Sequence, residues 1–251
     1  MPLDVKRIRQ LRPENELHYF SSVDSTMNVA ARLASAGAPH GTVVLADEQT
    51  AGIGRLGRTW QSIAGAGLYS SVLLRLGIAP AHFPVVTLVL GLATADAILK
   101  SIGLACDLRW PNDVLIRERK VAGILAQLHD GCIVAGIGIN VNQTSFPDGL
   151  RTPATSLLIE SSGKPQSREA LAAQLLESLD YFCDILKTEG PESILRAFSA
   201  ASSYALHRRV IIEESGREGV TAGLDEHGFL MVRFENGAVE RIAAGGVRPA
   251  R

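Results

Sequence analysis

Apolar and polar positions run along this chain in two rhythms, short strand-like runs and longer helix-length stretches. Leu17–Val23, Thr42–Ala46 and Leu68–Leu76 read as strands, and Phe83–Ser101 as a long buried helix ended by Gly103. Residues 4–12 read as a short basic helix stopped by Pro13. Asp24 and Ser25 can cap a helix over Thr26–Ala36, with Gly37 at its end. A block of short segments follows: Cys106–Trp110, Val114–Arg117, Val121–His129 and Cys132–Asn142. Polar connections separate them (Pro111-Asn112-Asp113, Glu118-Arg119, Asp130-Gly131), which predicts an antiparallel meander. Ser167 opens an amphipathic helix to about Lys187, Gly190-Pro191 breaks it, and another helix runs to about Ala201.

From Arg208 the texture changes. Val210–Glu214, Gly219–Leu224, Phe229–Phe234 and Val239–Ile242 read as four strands joined by turns, with Asn236-Gly237 a hairpin signal. Some forty residues of this kind predict a small barrel, too small to be stable alone and so expected to dock on the rest. The expected division is a larger domain over residues 1–204 and a smaller one over 205–251.

With 251 residues the chain can bury a sizeable core. Its 25 Lys+Arg and 26 Asp+Glu leave a formal charge of −1, without the basic excess of a nucleic-acid binder. Cys106, Cys132 and Cys183 are scattered, and the six histidines stand singly, a pattern that argues against a disulfide framework or a protein-held metal site. Met1–Arg7 lacks the apolar core of a signal peptide, and Phe83–Leu99 reads as too short and polar to span a bilayer. These features predict a soluble cytoplasmic protein that binds neither membrane nor DNA.

The candidate chemistry centres on Ala51–Trp60. Gly52, Gly54 and Gly57 let the backbone fold tightly, Arg55 and Arg58 add fixed charge, and Trp60 adds a flat apolar face. No acid occurs between Glu48 and Asp96 to neutralise the two arginines. The loop suits a phosphate with its nucleoside, and equally a solvated surface turn. It matches the dinucleotide fingerprint by letter, but a strand does not directly precede it, no helix follows, and the required downstream acid is missing. A Walker A reading fails because Arg58 stands where lysine is required and again no helix follows.

Four other clusters stand out. Asp24-Ser25-Thr26 is an N-cap or a polar-ligand contact. Arg109–Asp113 is a strand end and turn that reads as structural. Lys120 sits at a charged hairpin tip beside Gly123, where backbone or ligand can approach closely. Gly136-x-Gly138-x-Asn140 places glycines on one strand face, expected to receive a ligand or a neighbouring backbone, with Asn140 able to read a base edge.

The strings DSTMN, EQTAGIGRLGRTW, RWPND, RKVAGIL and GIGINVN occur in the order and approximate spacing of biotin protein ligases. The usual forms there are DSTN, GRGRxGRxW, KWPND, RKLAGIL and GIGINxN. The likeness runs from about Leu17 to the C-terminus. It implies an α+β fold with a mixed sheet and helices like a class II aminoacyl-tRNA synthetase, plus an SH3-like C-terminal barrel. It also implies a two-step reaction. Biotin and MgATP give biotinyl-5′-adenylate and pyrophosphate, and a lysine of the biotin carboxyl carrier protein of acetyl-CoA carboxylase then takes the biotinyl group and releases AMP.

Carried over by position, Lys120 and Arg55 become the catalytic cations. Ser25, Thr26 and Gln49 lie at the ureido ring of biotin, and Met27, Gly52, Ile53, Gly54, Arg55, Lys120 and Gly123 complete the biotin site. Arg55, Arg58, Trp60, Asn112, Asp113, Lys120 and Asn140 are assigned to ATP and the adenylate, with Trp60 stacked on adenine. Three positions depart from the pattern: Ile53 replaces the first Arg of GRGR, Met27 the Asn of DSTN, and Arg109 the Lys of KWPND. Losing the guanidinium at Ile53 implies weaker retention of the adenylate. Only about sixteen residues precede the first strand, so no N-terminal DNA-binding domain is expected. The family also implies carrier docking at the meander edge and pairing of copies through sheet edges. Lipoate ligation and non-catalytic retention of biotinyl-adenylate are the rival readings.

Overall fold

The computed structural model describes residues 1–250. Twelve strands form two sheets. The larger comprises β1 (Leu17–Phe20), β2 (Val43–Ala46), β3 (Gly67–Leu74), β4 (Asp107–Arg109), β5 (Asp113–Ile116), β6 (Arg119–His129) and β7 (Cys132–Asn140). Its order is β1-β2-β3-β7-β6-β5-β4; β1 and β2 are parallel and every other pair antiparallel. The predicted meander is β4 to β7.

Side-chain alternation sorts the sheet's two faces. Val43, Leu45, Val72, Ile133, Ala135, Ile137 and Ile139 belong to one large core, whereas Val44, Leu73, Cys132 and Val134 belong to a smaller one. Onto the large-core face pack α3 (Phe83–Ile102), α5 (Arg168–Glu189) and α6 (Pro191–Ala201), and α1 (Val5–Leu11) packs against α5. Onto the other face packs α2 (Thr26–Ser35), through Met27, Val29, Ala30 and Ala34. The same alternation turns Gly136, Gly138 and Asn140 toward the α2 face, and that face carries the site.

The second sheet comprises β8 (Leu206–Ile212), β9 (Glu218–Leu224), β10 (Leu230–Arg233), β11 (Val239–Ile242) and β12 (Val247–Pro249), antiparallel in the order β11-β10-β9-β8-β12. Its Val210, Leu230, Val232 and Val247 are continuous with the large core. Buried Trp110 donates from Nε1 to the Gly228 carbonyl at 2.9 Å, joining the meander to this sheet by a directional bond.

Three expectations require correction, and one short helix was not anticipated. The first strand stops at Phe20 because the chain bends there, and Val23 makes only a single bridge to Gln49. A short helix, α4 (Leu157–Glu160), capped by Ser156, has too few residues to leave a periodic signal. The small sheet has five strands, the fifth too short to read from sequence. Finally, the helix over Pro80–Ile102 is long and apolar enough by composition to cross a membrane, with mean hydropathy 1.8. It is instead the central helix of the core, with Val85, Val86, Leu88, Val89 and Leu90 fully buried.

A buried ionic node ties the N-terminus to this frame. Asp47 accepts from Arg168 Nη1 at 2.8 Å, from the Leu3 amide at 3.2 Å and from Tyr19 Oη at 2.5 Å. Arg168 Nη2 also donates to the Met1 carbonyl at 2.6 Å. The bond to Asp47 is the main reason the Tyr19 phenol is pushed up to about 12. Removing one partner of a buried ion pair leaves the other charge uncompensated. Arg168→Met is therefore expected to cost about 3–5 kcal/mol of unfolding free energy, read by urea titration, and a loss within error of zero would contradict the node.

Candidate active site

Residues 52–60 fold back on themselves as a narrow flap. The Trp60 amide donates to the Gly52 carbonyl at 2.9 Å, Ile53 bridges Thr59, and the Gly54 amide donates to the Arg58 carbonyl at 2.7 Å. The tip is a single tight turn, Arg55–Gly57, with Leu56 at φ 55° and Gly57 at φ 72°. A Cβ on Gly52 would lie 2.4 Å from the Trp60 carbonyl oxygen, so only glycine permits this closure.

The flap lies over strand glycines. A Cβ on Gly138 would sit 2.5 Å from Trp60 Cε2, and one on Gly123 2.6 Å from Trp60 Cζ3. Gly136 makes the corresponding room for the Met27 sulfur, at 2.5 Å. The expected close approach to these glycines is therefore made by two side chains of the chain itself. Gly123 and Gly138 are register partners on β6 and β7, which makes the notch that seats the indole one continuous feature.

At the start of α2 lies a fixed set of neutral polar groups. Gln49 Oε1 accepts from the Thr26 amide at 2.9 Å and from its hydroxyl at 3.1 Å, and Gln49 Nε2 donates to Ser62 at 2.9 Å. Ser71 Oγ donates to the Thr26 hydroxyl at 2.9 Å. These bonds fix which end of the Gln49 amide faces which partner. Ser25 is fully buried and accepts from the Met27 amide as the helix cap.

The opposite character gathers around the flap tip. Lys120 Nζ lies 2.5 Å from Asp113 Oδ1 and 5.5 Å from the centre of the Trp60 ring. The other Asp113 oxygen takes buried Arg109 Nη2 at 2.5 Å, and that nitrogen also donates to Thr152 at 2.6 Å. Burial alone would raise the Asp113 carboxyl. The charges of Lys120 and Arg109, with their hydrogen bonds, override it and hold the group below the ordinary carboxylate range. Asp113 is thus an anion that fixes the position of the Lys120 ammonium.

Arg55 turns inward and donates from Nη1 to Asn112 Oδ1 at 3.0 Å and to the Gly245 carbonyl at 2.9 Å. Burial pulls its pKa below the ordinary guanidinium value. Arg58 reaches Glu213 at 3.3 Å.

Most of these groups meet at one cavity of about 410 Å³. Thr26, Met27, Gln49, Ile53, Gly54, Arg55, Arg58 and Trp60 line it, as do Asn112, Asp113, Lys120, Gly123 and Asn140. Ser25 and Gly52 do not, since one caps α2 and the other closes the flap. Asn140 lies at the wall with its amide already engaged: Nδ2 donates to the Thr155 carbonyl at 3.0 Å and, more weakly, to that of Lys120 at 3.4 Å. The amide donor of Asn140 is thus engaged by the backbone around Lys120.

Sequence reasoning missed the C-terminal sheet's share of the wall (Glu213, Gly245 and Gly246) and Arg151 from the loop after β7. None lies in a motif or near the flap in sequence, so no local signal marks them. Ile53 packs with the smaller core beside Met27 and Leu125, giving the wall an apolar surface at that point. The cavity thus combines a neutral hydrogen-bonding set, an apolar indole surface and a cluster of cations. That combination suits an elongated ligand with a polar head and an anionic tail.

Comparison with known proteins agrees with this chemistry. The sequence profile described as "Biotin/lipoate A/B protein ligase family" matches residues 19–143. The chain is 35% identical over 232 residues to the bifunctional ligase/repressor BirA of Bacillus spizizenii, covering 88% of this chain and 70% of that protein. It is 33% identical over 231 residues to the biotin--[acetyl-CoA-carboxylase] ligase of Mycobacterium tuberculosis, covering 88% and 83%. The structure of the Aquifex aeolicus biotin protein ligase in complex with biotin and ATP superposes with a TM-score of 0.81 at 32% identity, covering 93% of this chain and 97% of that one. On the identity and coverage of these relatives, this chain belongs to the biotin/lipoate A/B protein ligase family.

Proposed function

We propose that this protein is a biotin protein ligase, with biotin and MgATP as its substrates and a biotin carboxyl carrier protein of acetyl-CoA carboxylase as its acceptor. The observation that carries this reading is the single cavity in which a fixed neutral polar set and a cationic cluster face one another under the flap. Thr26 and Gln49, locked by their mutual bonds, suit the ureido ring of biotin, and Met27, Ile53 and Trp60 suit its apolar body and adenine. The main sheet corresponds to the class II aminoacyl-tRNA synthetase-like domain and the small sheet to the SH3-like barrel, dividing near residue 204. A cytoplasmic location accords with this reading, and the β4 edge of the meander is the surface it assigns to carrier docking or to pairing of copies.

In the first step biotin's carboxylate oxygen attacks the α-phosphorus of MgATP, and the bond to pyrophosphate breaks. Negative charge grows on the α-phosphate oxygens, and Lys120, held in place by Asp113, lies with Arg55 where that charge forms. Cations already oriented stabilise the transition state without reorganising during it. In the second step the carrier lysine's neutral amine attacks the acyl carbon, the proton leaves the nitrogen, and AMP departs with the electrons of the acyl–oxygen bond. The flap's contact with the floor keeps water from the mixed anhydride in between.

The deciding experiment is mass spectrometry of a purified carrier domain after incubation with biotin and MgATP. A single biotinyl mass increment on one lysine is expected, with lipoate giving on the order of 10²-fold less or lower still, because its apolar ring offers the polar groups at Thr26 and Gln49 no hydrogen-bonding partner. No increment would refute the reading. Lys120→Met should slow biotin-dependent pyrophosphate release about 100-fold or more, mainly in kcat. Ile53→Arg restores a guanidinium to the flap and should slow dissociation of biotinyl-adenylate, measured by stopped-flow displacement. An unchanged rate would show that Ile53 does not limit retention.

A further inference from the structure

Two guanidinium groups from distant segments converge on one carboxylate oxygen at the cavity wall. Arg58 Nη2 from the flap and Arg151 Nη1 from the loop after β7 each lie 3.3 Å from Glu213 Oε2. The arginine side chains are half exposed, at 50% and 53%, whereas Glu213 is 9% exposed. The carboxylate therefore stands inside the cavity wall with the cations reaching in from solvent. Glu213 follows β8, and all three residues line the cavity.

The other acid of the cavity wall is matched differently. Asp113 is held by Lys120 and by buried Arg109, a closed set that leaves Asp113 no free charge for a ligand. Glu213 is held only by the two half-exposed arginines, each 3.3 Å away, against the 2.5 Å contacts that Lys120 and Arg109 make with Asp113. A multiply charged phosphate offers both guanidiniums more oxygens and more charge than one carboxylate does.

We infer that Arg58 and Arg151 form the seat for the terminal phosphates of the nucleotide, and that Glu213 is a resident anion occupying that seat until nucleotide displaces it. This rests on the proposed ATP-dependent ligase activity and adds two residues to it. Arg151 binds nucleotide directly, and Glu213 opposes binding because its charge lies beside the incoming phosphates. Pairing with Glu213 also ties the flap to the C-terminal sheet when nucleotide is absent, alongside the bond from Arg55 to the Gly245 carbonyl. The small sheet thereby acts on nucleotide affinity through a charge of its own.

The test is calorimetric titration of the magnesium complex of α,β-methylene-ATP into the full-length protein at saturating biotin, for the parent, Glu213→Gln and Arg151→Gln. The substitutions are near-isosteric, and Arg151 is exposed; thermal melts verify that each variant is folded. Glu213→Gln is expected to tighten Kd at least threefold and Arg151→Gln to weaken it about tenfold, the scale of one charge-assisted hydrogen bond. The affinity for biotin alone should carry neither change. Raising salt should narrow the gap between the parent and Glu213→Gln, since the opposing term is electrostatic.

Weaker or unchanged binding by Glu213→Gln overturns the inference, because it makes Glu213 a support for the arginines. Unchanged binding by Arg151→Gln also overturns it, as does a parent protein that fails to bind the nucleotide. Biotin-dependent pyrophosphate release by the parent with ordinary MgATP is measured in parallel. If the parent binds the analogue with the expected variant pattern but releases no pyrophosphate, the ligase reading fails and the phosphate seat stands.

Discussion

The seating of Trp60 on Gly123 and Gly138 is the contact from which the rest of the site follows. Two strand positions without side chains leave a notch, and any Cβ there would collide with the indole at 2.6 Å or less. Because the indole lies in that notch, the flap that carries it crosses the sheet, and Arg55 and Arg58 come to the cavity. The same indole forms part of the environment of Lys120, whose ammonium lies 5.5 Å from the ring centre. Filling the notch would lift the flap, and the cations would lose their common focus.

Around this contact the chain separates its polar groups by how firmly each is held. Gln49 and Thr26 are oriented by mutual bonds and by Ser62 and Ser71, so the neutral side of the cavity is preformed. Asp113 is fixed between Lys120 and Arg109, so the position of the principal cation is preformed as well. A carboxylate so paired stays ionised despite its burial, which keeps the lysine anchored. The flap cations, by contrast, end on Asn112, a backbone carbonyl and Glu213, partners that an anionic ligand can replace. Preformed groups set orientation, and replaceable ones leave room for substrate entry.

The small sheet is part of this machinery. Its apolar residues are continuous with the main core, and Trp110 adds a directional bond at Gly228. That docking brings Gly245, Gly246 and Glu213 to the cavity wall, where Gly245 and Glu213 meet Arg55 and Arg58 of the flap. The substitution of Arg109 for the lysine common in related sequences also acquires a physical setting here. A planar guanidinium can bond Asp113 and Thr152 together while lying 5.9 Å from the Tyr204 ring centre, in a position buried almost completely from water.

Much of this was legible before any coordinates. Apolar periodicity and turn residues placed α2, α3, α5, α6 and the meander, because those elements are long or sharply punctuated. Five ordered motifs pointed to the flap, Lys120, Asp113 and Gln49, since each lies in a local string with its own composition. Local patterns did not reveal that the strand glycines receive Trp60 and Met27, or that the Asn140 amide is engaged by backbone carbonyls. The Ser25 hydroxyl caps α2 by accepting from the Met27 amide, a partner that depends on which way the first turn faces. Arg151 and Glu213 carry no motif at all. Glu213 meets Arg58 across 155 residues of chain and Arg151 across 62, and such long-range encounters are decided by tertiary packing rather than by any local run of residues.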